Sequence, residues 1–170
     1  MTKLELSEYI SRRIRFLLQE ARIGANRDQV ITYAMRVVSN FATVNCDAQS
    51  SGVTKRSTRI SQGALDRMGD CIKFSDWAKV VTNDHPQPIK LVWIWLCENS
   101  NNLTEMHVWD RFCEYPMVTI LKTENTKLDK MGFRSKGDFK DRYHKAGIQI
   151  VQLPHTAFDE WIARQKSETF

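Results

Sequence analysis

The sequence lacks a hydrophobic run long enough to cross a membrane. A transmembrane helix needs roughly 20 consecutive apolar residues, but the longest candidate, Ile89 to Cys97, is interrupted by Lys90 and followed by Glu98. The first five residues, Met-Thr-Lys-Leu-Glu, also lack the basic-then-apolar order of a signal peptide. We therefore expect a soluble protein that has no membrane partner and stays in the cytoplasm.

The sequence also has few cysteines and lacks several catalytic motifs. Its four cysteines, at positions 46, 71, 97 and 113, form no Cys-x-x-Cys pair. We therefore expect isolated thiols rather than a zinc ribbon. There is no Gly-rich phosphate loop, dinucleotide fingerprint, Gly-x-Ser-x-Gly elbow or His-Glu-x-x-His sequence. These absences argue against nucleotide hydrolases, dehydrogenases, serine hydrolases and zincins.

What the sequence does contain is enough apolar material for a core and a mild excess of positive charge. The chain has 170 residues, 42% of them hydrophobic, with five tryptophans, which fits a single domain. Its net charge of +5 permits phosphate-bearing partners. Part of the excess lies between positions 127 and 145, where the cations are Lys127, Lys130, Arg134, Lys136, Lys140, Arg142 and Lys145. A solvated protein face would have the same composition.

The N-terminal part is predicted to be a helical hairpin over residues 1–45. Apolar residues from Leu4 to Arg22 recur at helical spacing, and the helix is expected to end at Gly24. Asn26 can cap a second helix that runs to Phe41. A polar loop over residues 46–61 follows and separates the hairpin from an α+β part over residues 62–170, all within one compact domain.

The α+β part is predicted from caps and from changes in hydrophobic period. We expect short helices at Gln62–Met68, Ser75–Val80, Pro88–Cys97, Thr104–Glu114, Thr123–Gly132, Asp138–Ala146 and Thr156–Gln165, and strands at Met117–Leu121 and Ile148–Val151. Thr104, Thr123 and Thr156 are the expected caps. The predicted fold class is therefore α+β: a helix-rich single domain with a small antiparallel sheet and an N-terminal helical hairpin.

Two short segments contain residues suited to hydrolytic chemistry. In Asp84-His85-Pro86 an acid directly precedes a histidine, and a neutral imidazole can accept a proton from water while a carboxylate holds a divalent metal ion. The second segment, Thr123-Glu124-Asn125, follows the predicted strand at Met117–Leu121. Hydrolysis of a phosphodiester requires both a base and a cation.

Together these two segments resemble the site of the HNH-type (His-Me finger, ββα-metal) nucleases. The resemblance implies a metal-dependent endonuclease in which His85 is the catalytic general base. It implies that Asp84 and Asn125 bind one divalent metal ion, magnesium. It also requires a strand near Val80–Asn83 that pairs antiparallel with Met117–Leu121, and a following helix that directs Leu128 and Met131 onto this pair.

A nucleic-acid partner is expected to contact basic side chains at two places in the sequence. The candidates are Lys55, Arg56, Arg59, Lys127, Lys130, Arg134 and Lys136. The alternative function is a non-catalytic nucleic-acid-binding or protein-interaction module, with the N-terminal helices contacting a protein. In that case Asp84 caps a helix, His85 bonds a carbonyl in a turn and Asn125 faces solvent.

Overall fold

The structure, a computed structural model, describes residues 3–43, 57–71, 73–133, 141–154 and 156–167. In chain order the described elements are α1 (Lys3–Arg22), α2 (Gln29–Thr43), β1 (Arg59–Ser61), α3 (Gln62–Asp70), α4 (Phe74–Val80), β2 (Val81–Asp84), α5 (Ile89–Asn99), α6 (Glu105–Glu114), β3 (Val118–Leu121), α7 (Lys122–Lys130), α8 (Arg142–Lys145), β4 (Ile150–Gln152) and α9 (Ala157–Ser167). None of these helices is long and apolar enough to span a bilayer.

The chain divides into two compact units, each built from two segments. Unit 1 comprises Met1–Thr54 and His85–Met117, and unit 2 comprises Lys55–Asp84 and Val118–Phe170. Unit 1 therefore contains α1, α2, α5 and α6, whereas unit 2 contains the strands and the remaining described helices. The single compact domain expected from the sequence stays a prediction.

The predicted N-terminal helical hairpin is confirmed in unit 1, where α1 and α2 pack together. Gly24 ends the first helix with a φ of 67°, a backbone conformation that glycine adopts without steric cost. The prediction that Asn26 caps α2 is wrong, because the Ile31 amide donates to Oδ1 of Asp28 at 2.8 Å. Asp28 directly precedes α2 and can therefore reach its first free amide groups.

Unit 1 is held together by an apolar core between its four helices. Its fully buried side chains include Leu17 of α1, Met35 and Val38 of α2, Leu96 of α5 and Val108 of α6. Thr104 caps α6 as predicted: the His107 amide donates to its Oγ1, and the Thr104 amide donates back to Nδ1 of His107. This reciprocal capping satisfies two amides that would otherwise lack partners.

Unit 2 is built on a four-stranded sheet in the order β2-β3-β1-β4. Strands β2 and β3 are antiparallel, β3 and β1 are parallel, and β1 and β4 are antiparallel. The predicted α+β class is thus confirmed, but the sheet is mixed rather than wholly antiparallel. The parallel pairing involves β1, a strand that lies inside the segment predicted to be a polar loop. Ile60 is the only apolar residue of this strand, and it is completely buried.

Two apolar clusters cover this sheet. In one, the Trp77 ring contacts Phe74, Phe158 and Trp161, and its indole N–H donates to the Ala64 carbonyl at 2.8 Å. In the other, Val118 and Ile120 of β3 pack with Leu128 of α7 and with Tyr143, Ala146 and Ile148. Helices this short are not stable in isolation. In unit 2 each is stabilised by the burial of one or two large side chains.

The structure also corrects the predicted start of α7. Its N-cap is Leu121 rather than Thr123, so the helix begins directly where β3 ends. The Leu121 amide donates to Oε2 of Glu124 at 2.8 Å, so the carboxylate in the first turn satisfies the amide of the N-cap residue. Of the helix predicted at Asp138–Ala146, the structure describes α8 and its flanks, while residues 134–140 lie outside the described part.

Candidate functional site

The strand-strand-helix arrangement predicted around Asp84 is present in unit 2. Strand β2 pairs antiparallel with β3, so that Val81 lies opposite Leu121 and Asp84 lies opposite Val118. Helix α7 then packs on both strands, and Leu128 is buried against Val118 and Ile120. The predicted role of Met131 is wrong: this residue is the C-cap of α7, beyond the last helical turn, and it is 44% exposed.

Asp84 ends β2 and is held by two neighbouring residues of α8. The Tyr143 hydroxyl donates to its Oδ2 at 2.5 Å, and the Arg142 guanidinium forms an ion pair with the same oxygen. The Arg142 side chain is only 3% exposed and also donates to the Phe133 carbonyl at 3.1 Å, just beyond α7. A buried charge requires a partner of this kind, since desolvation otherwise penalises it heavily.

Burial and the nearby positive charges also change the pKa of the Tyr143 phenol. Loss of solvation raises the pKa of its phenol to about 12, while the nearby Arg142 and Arg59 oppose the shift. The phenol is therefore protonated at neutral pH and can act as the hydrogen donor to Asp84. Sequence reasoning did not single out Arg142 or Tyr143 as partners of Asp84, and no local signal could have done so, because they lie almost 60 residues further along the chain.

The neighbours of Asp84 bear on the metal ion that the resemblance implies. Magnesium binds carboxylate oxygens and waters in an octahedral shell, whereas Oδ2 of Asp84 already accepts a hydrogen bond and faces a guanidinium. Within the described ranges, no group of three or more His, Cys, Asp or Glu side chains is arranged to hold a metal ion. The present arrangement fits a structural carboxylate rather than a magnesium ligand, and the metal-binding role of Asp84 stays a prediction.

The second predicted segment is organised by Glu124 rather than by Asn125. Asn125 is half-buried in α7, at the fourth position of the helix. Glu124 Oε2 accepts from the Ser61 hydroxyl at 2.6 Å and from the Leu121 amide at 2.8 Å. Ser61 in turn caps α3 by accepting from the Ala64 amide at 3.1 Å. Glu124 thereby fixes the starts of two helices, a role that its position in the first turn could have suggested.

His85 belongs to unit 1, unlike Asp84 and Asn125. Its Nδ1 lies 3.1 Å from the hydroxyl of Ser39, which is buried on α2. Burial, with a smaller effect from the positive charge of Arg36, lowers the pKa of His85 from 6.5 to about 4. The imidazole is therefore neutral at pH 7, but a base with so low a pKa has little driving force for accepting a proton.

Basic side chains of unit 2 lie on three elements around the end of β2: on β1, on α7, which packs on β2 and β3, and on α8, which contacts Asp84. Arg59 precedes Ile60, which is paired with Thr119, so Arg59 is in register with Val118, the residue opposite Asp84. The Lys127 side chain reaches the end of α8: its Nζ lies 3.6 Å from the position that a Cβ would occupy at Gly147. We define the basic edge by these residues and their charged neighbours: Arg59, Lys127, Lys130, Arg142 and Lys145.

Three of the predicted nucleic-acid-binding residues, Arg59, Lys127 and Lys130, lie on this basic edge. Lys127, Lys130 and Lys145 are exposed, and Arg59 is half-buried. The other four candidates, Lys55, Arg56, Arg134 and Lys136, lie outside the described residues. Comparison of the chain with models of known families, with curated proteins and with solved structures finds no match.

Proposed function

We propose that unit 2 binds nucleic acid through its basic edge and does not cleave it. The observation that carries this proposal is the state of Asp84, whose carboxylate is neutralised by Arg142 and hydrogen-bonded by Tyr143. Asp84 thus serves to hold a buried guanidinium in place. The carboxylate that a nuclease would need as a metal ligand is therefore already engaged in an ion pair and a hydrogen bond.

The charge around Asp84 favours a polyanionic ligand. Arg59, Asp84, α7 and residues 141–145 together contain six cationic and four acidic side chains. One of the acids, Asp84, is paired with Arg142, and another, Glu124, is bonded to Ser61 and Leu121. The exposed Lys127, Lys130 and Lys145 are then available to contact phosphates, and such contacts release counterions from the nucleic acid.

A metal-dependent endonuclease is the second candidate. It is favoured by one observation, the antiparallel pairing of β2 with β3 and the packing of α7 on both. In this candidate His85 is the general base and Asp84 and Asn125 are the metal ligands. It requires that Asp84 give up its ion pair with Arg142 and its bond from Tyr143, and that His85 accept a proton despite its low pKa.

One experiment separates the two candidates. Fluorescently labelled single-stranded DNA, duplex DNA and RNA are titrated with the purified protein at increasing salt, and parallel samples are incubated with Mg²⁺ or Mn²⁺ and resolved on a gel. Binding that weakens steeply with salt and leaves the strands intact supports the proposal. Metal-dependent cleavage that is lost in His85→Ala supports the nuclease instead.

Absence of binding even at low salt, together with absence of cleavage in Mg²⁺ or Mn²⁺, would contradict both candidates. The remaining prediction, a protein partner of the N-terminal helices, would then be preferred. On unit 1, Ile23, Val30 and Tyr33 are 70%, 58% and 58% exposed. These three side chains would be the first to substitute in a test of such a protein contact.

A further inference from the structure

Unit 1 contains a small cavity that is lined by polar groups from three parts of the chain. Ser39 comes from α2, His85 and Gln87 come from the segment before α5, and Arg111 comes from α6. Val92 and Phe112 close its apolar side. The cavity has a volume of about 10 Å³, close to the roughly 10–15 Å³ that a single water molecule requires.

Two of the atoms that belong to these lining residues are buried without a hydrogen-bond partner among the described residues. They are Oε1 of Gln87, a residue that is only 5% exposed, and Nε of Arg111. One is an acceptor and the other a donor. Buried polar groups in folded proteins nearly always have a partner, either from the protein or from an ordered water.

The Arg111 side chain is held in place by its other contacts. Its Nη1 donates to Oε2 of Glu114 at 3.1 Å, and its guanidinium lies over the rings of Trp95 and Tyr115, at 5.3 Å and 4.8 Å from their centres. These contacts fix the plane of the guanidinium and therefore the direction of its Nε–H. Arg111 cannot satisfy this group by turning outward without losing three contacts.

We propose that this cavity binds one ordered water molecule, which bridges Arg111 and Gln87. The water accepts a hydrogen bond from Nε–H of Arg111 and donates one to Oε1 of Gln87. A small cation is disfavoured by the charge of Arg111, and an anion is disfavoured by the carbonyl oxygen of Gln87. The ligand must therefore be neutral, able both to donate and to accept, and no larger than one heavy atom, which leaves water.

The bound water gives the segment from His85 to Pro88 a link to α6. Gln87 lies between two prolines, Pro86 and Pro88, which restrict the backbone around it. With His85 bonded to Ser39 on α2, this water fixes the same short segment to a second helix. The site is independent of the nucleic-acid-binding proposal, since it lies wholly in unit 1.

The test uses the intact wild-type chain in solution. Water-selective nuclear Overhauser spectra should show a cross-peak of long-residence sign between water and Hε of Arg111, and another to the side-chain amide of Gln87. Oxygen-17 relaxation dispersion should then count one fewer long-lived water in Gln87→Met, which keeps the side-chain length but removes the acceptor. Gln29→Met, at an exposed position of the same unit, should leave that count unchanged.

The proposal is overturned if the wild-type protein shows no cross-peak from water to Hε of Arg111. It is also overturned if Gln87→Met and the wild-type protein have the same number of long-lived waters. If Gln87→Met does not fold, the wild-type cross-peaks decide the matter alone, because they report on the site without any substitution.

Discussion

Tyr143 donates its phenolic hydrogen to Oδ2 of Asp84 across 2.5 Å, and Arg142 forms an ion pair with that same oxygen. Residues that are neighbours in the sequence of α8 thus meet at the end of β2. Asp84 ties the outer strand of the sheet to α8, and Arg142 extends this link to the chain beyond α7 through the Phe133 carbonyl. The carboxylate that the sequence marks for chemistry is a structural link in unit 2.

The first prediction follows from that link. Asp84→Asn should lower the free energy of unfolding by about 3 kcal/mol, because it keeps the shape of the side chain but leaves the buried Arg142 charge uncompensated. Urea denaturation of the wild-type and variant proteins measures the difference. The control is Asp76→Asn, which breaks an exposed pair with Lys79 and should have a much smaller effect. Equal effects of the two substitutions would show that Asp84 is not a structural counter-ion.

The second prediction concerns pH. In the folded protein His85 stays neutral down to about pH 4, whereas in the unfolded chain it takes up a proton near its ordinary pKa of 6.5. Between these values the unfolded state binds more protons, so acidification lowers stability. The contribution of His85 is complete above about pH 6.5 and is lost as the pH falls towards 4.

Thermal unfolding measured across this pH range tests the second prediction. His85→Gln should show a shallower loss of melting temperature between pH 6.5 and 4 than the wild-type protein, because its side chain does not titrate. His144→Gln, at an exposed position of α8, is the matched control and should follow the wild-type curve. A wild-type slope retained by His85→Gln would contradict the assigned pKa.

The parts of the fold that were predicted from the sequence depend on local signals. The helical period identifies α1, and the cap at Thr104 identifies the start of α6, because both involve residues within one or two turns. The antiparallel pairing of β2 with β3 was predicted from a resemblance and is confirmed. Strand β1 was not predicted, because three residues with one apolar side chain have no detectable period.

The parts of the candidate site that were not predicted depend on contacts between distant segments. The resemblance implied that Asp84 binds a metal ion, which stays a prediction, but it gave no sign of the contacts that Asp84 makes with Arg142 and Tyr143. Sequence proximity also suggested that Asp84 and His85 act together, although they belong to different units. Local sequence reveals which side chains could do chemistry, whereas the state of each depends on partners that only the fold supplies.

The third prediction tests the contacts of Glu124. A Cβ at Gly63 would lie 2.9 Å from Oε1 of Glu124 and 3.1 Å from Cδ1 of Leu121. Gly63→Ala should therefore displace Glu124 and weaken its bonds to Ser61 and Leu121, at a cost of about 1–3 kcal/mol in unfolding free energy. Chemical denaturation measures the effect.

Another glycine of the same helix provides the control for the third prediction. Gly69 also lies in α3, and a Cβ there would meet nothing within 4 Å. Gly69→Ala should be neutral or stabilising by up to about 1 kcal/mol, because alanine favours helix more than glycine does. If Gly63→Ala is as well tolerated as Gly69→Ala, Glu124 does not depend on the close approach of α3.

The fourth prediction tests the proposed basic edge directly. Lys127→Gln and Lys130→Gln should each weaken binding to single- and double-stranded nucleic acids of different sequence by a similar factor, because phosphate contacts do not depend on the bases. Each substitution should also reduce the slope of log affinity against log salt by about one. Fluorescence anisotropy at several salt concentrations measures both quantities. Lys79→Gln is the matched control: Lys79 is an exposed lysine of unit 2 on α4, where it pairs with Asp76, and its loss should leave the slope unchanged. If all three variants lower affinity equally, binding follows the net charge of the chain and the basic edge is not the binding site.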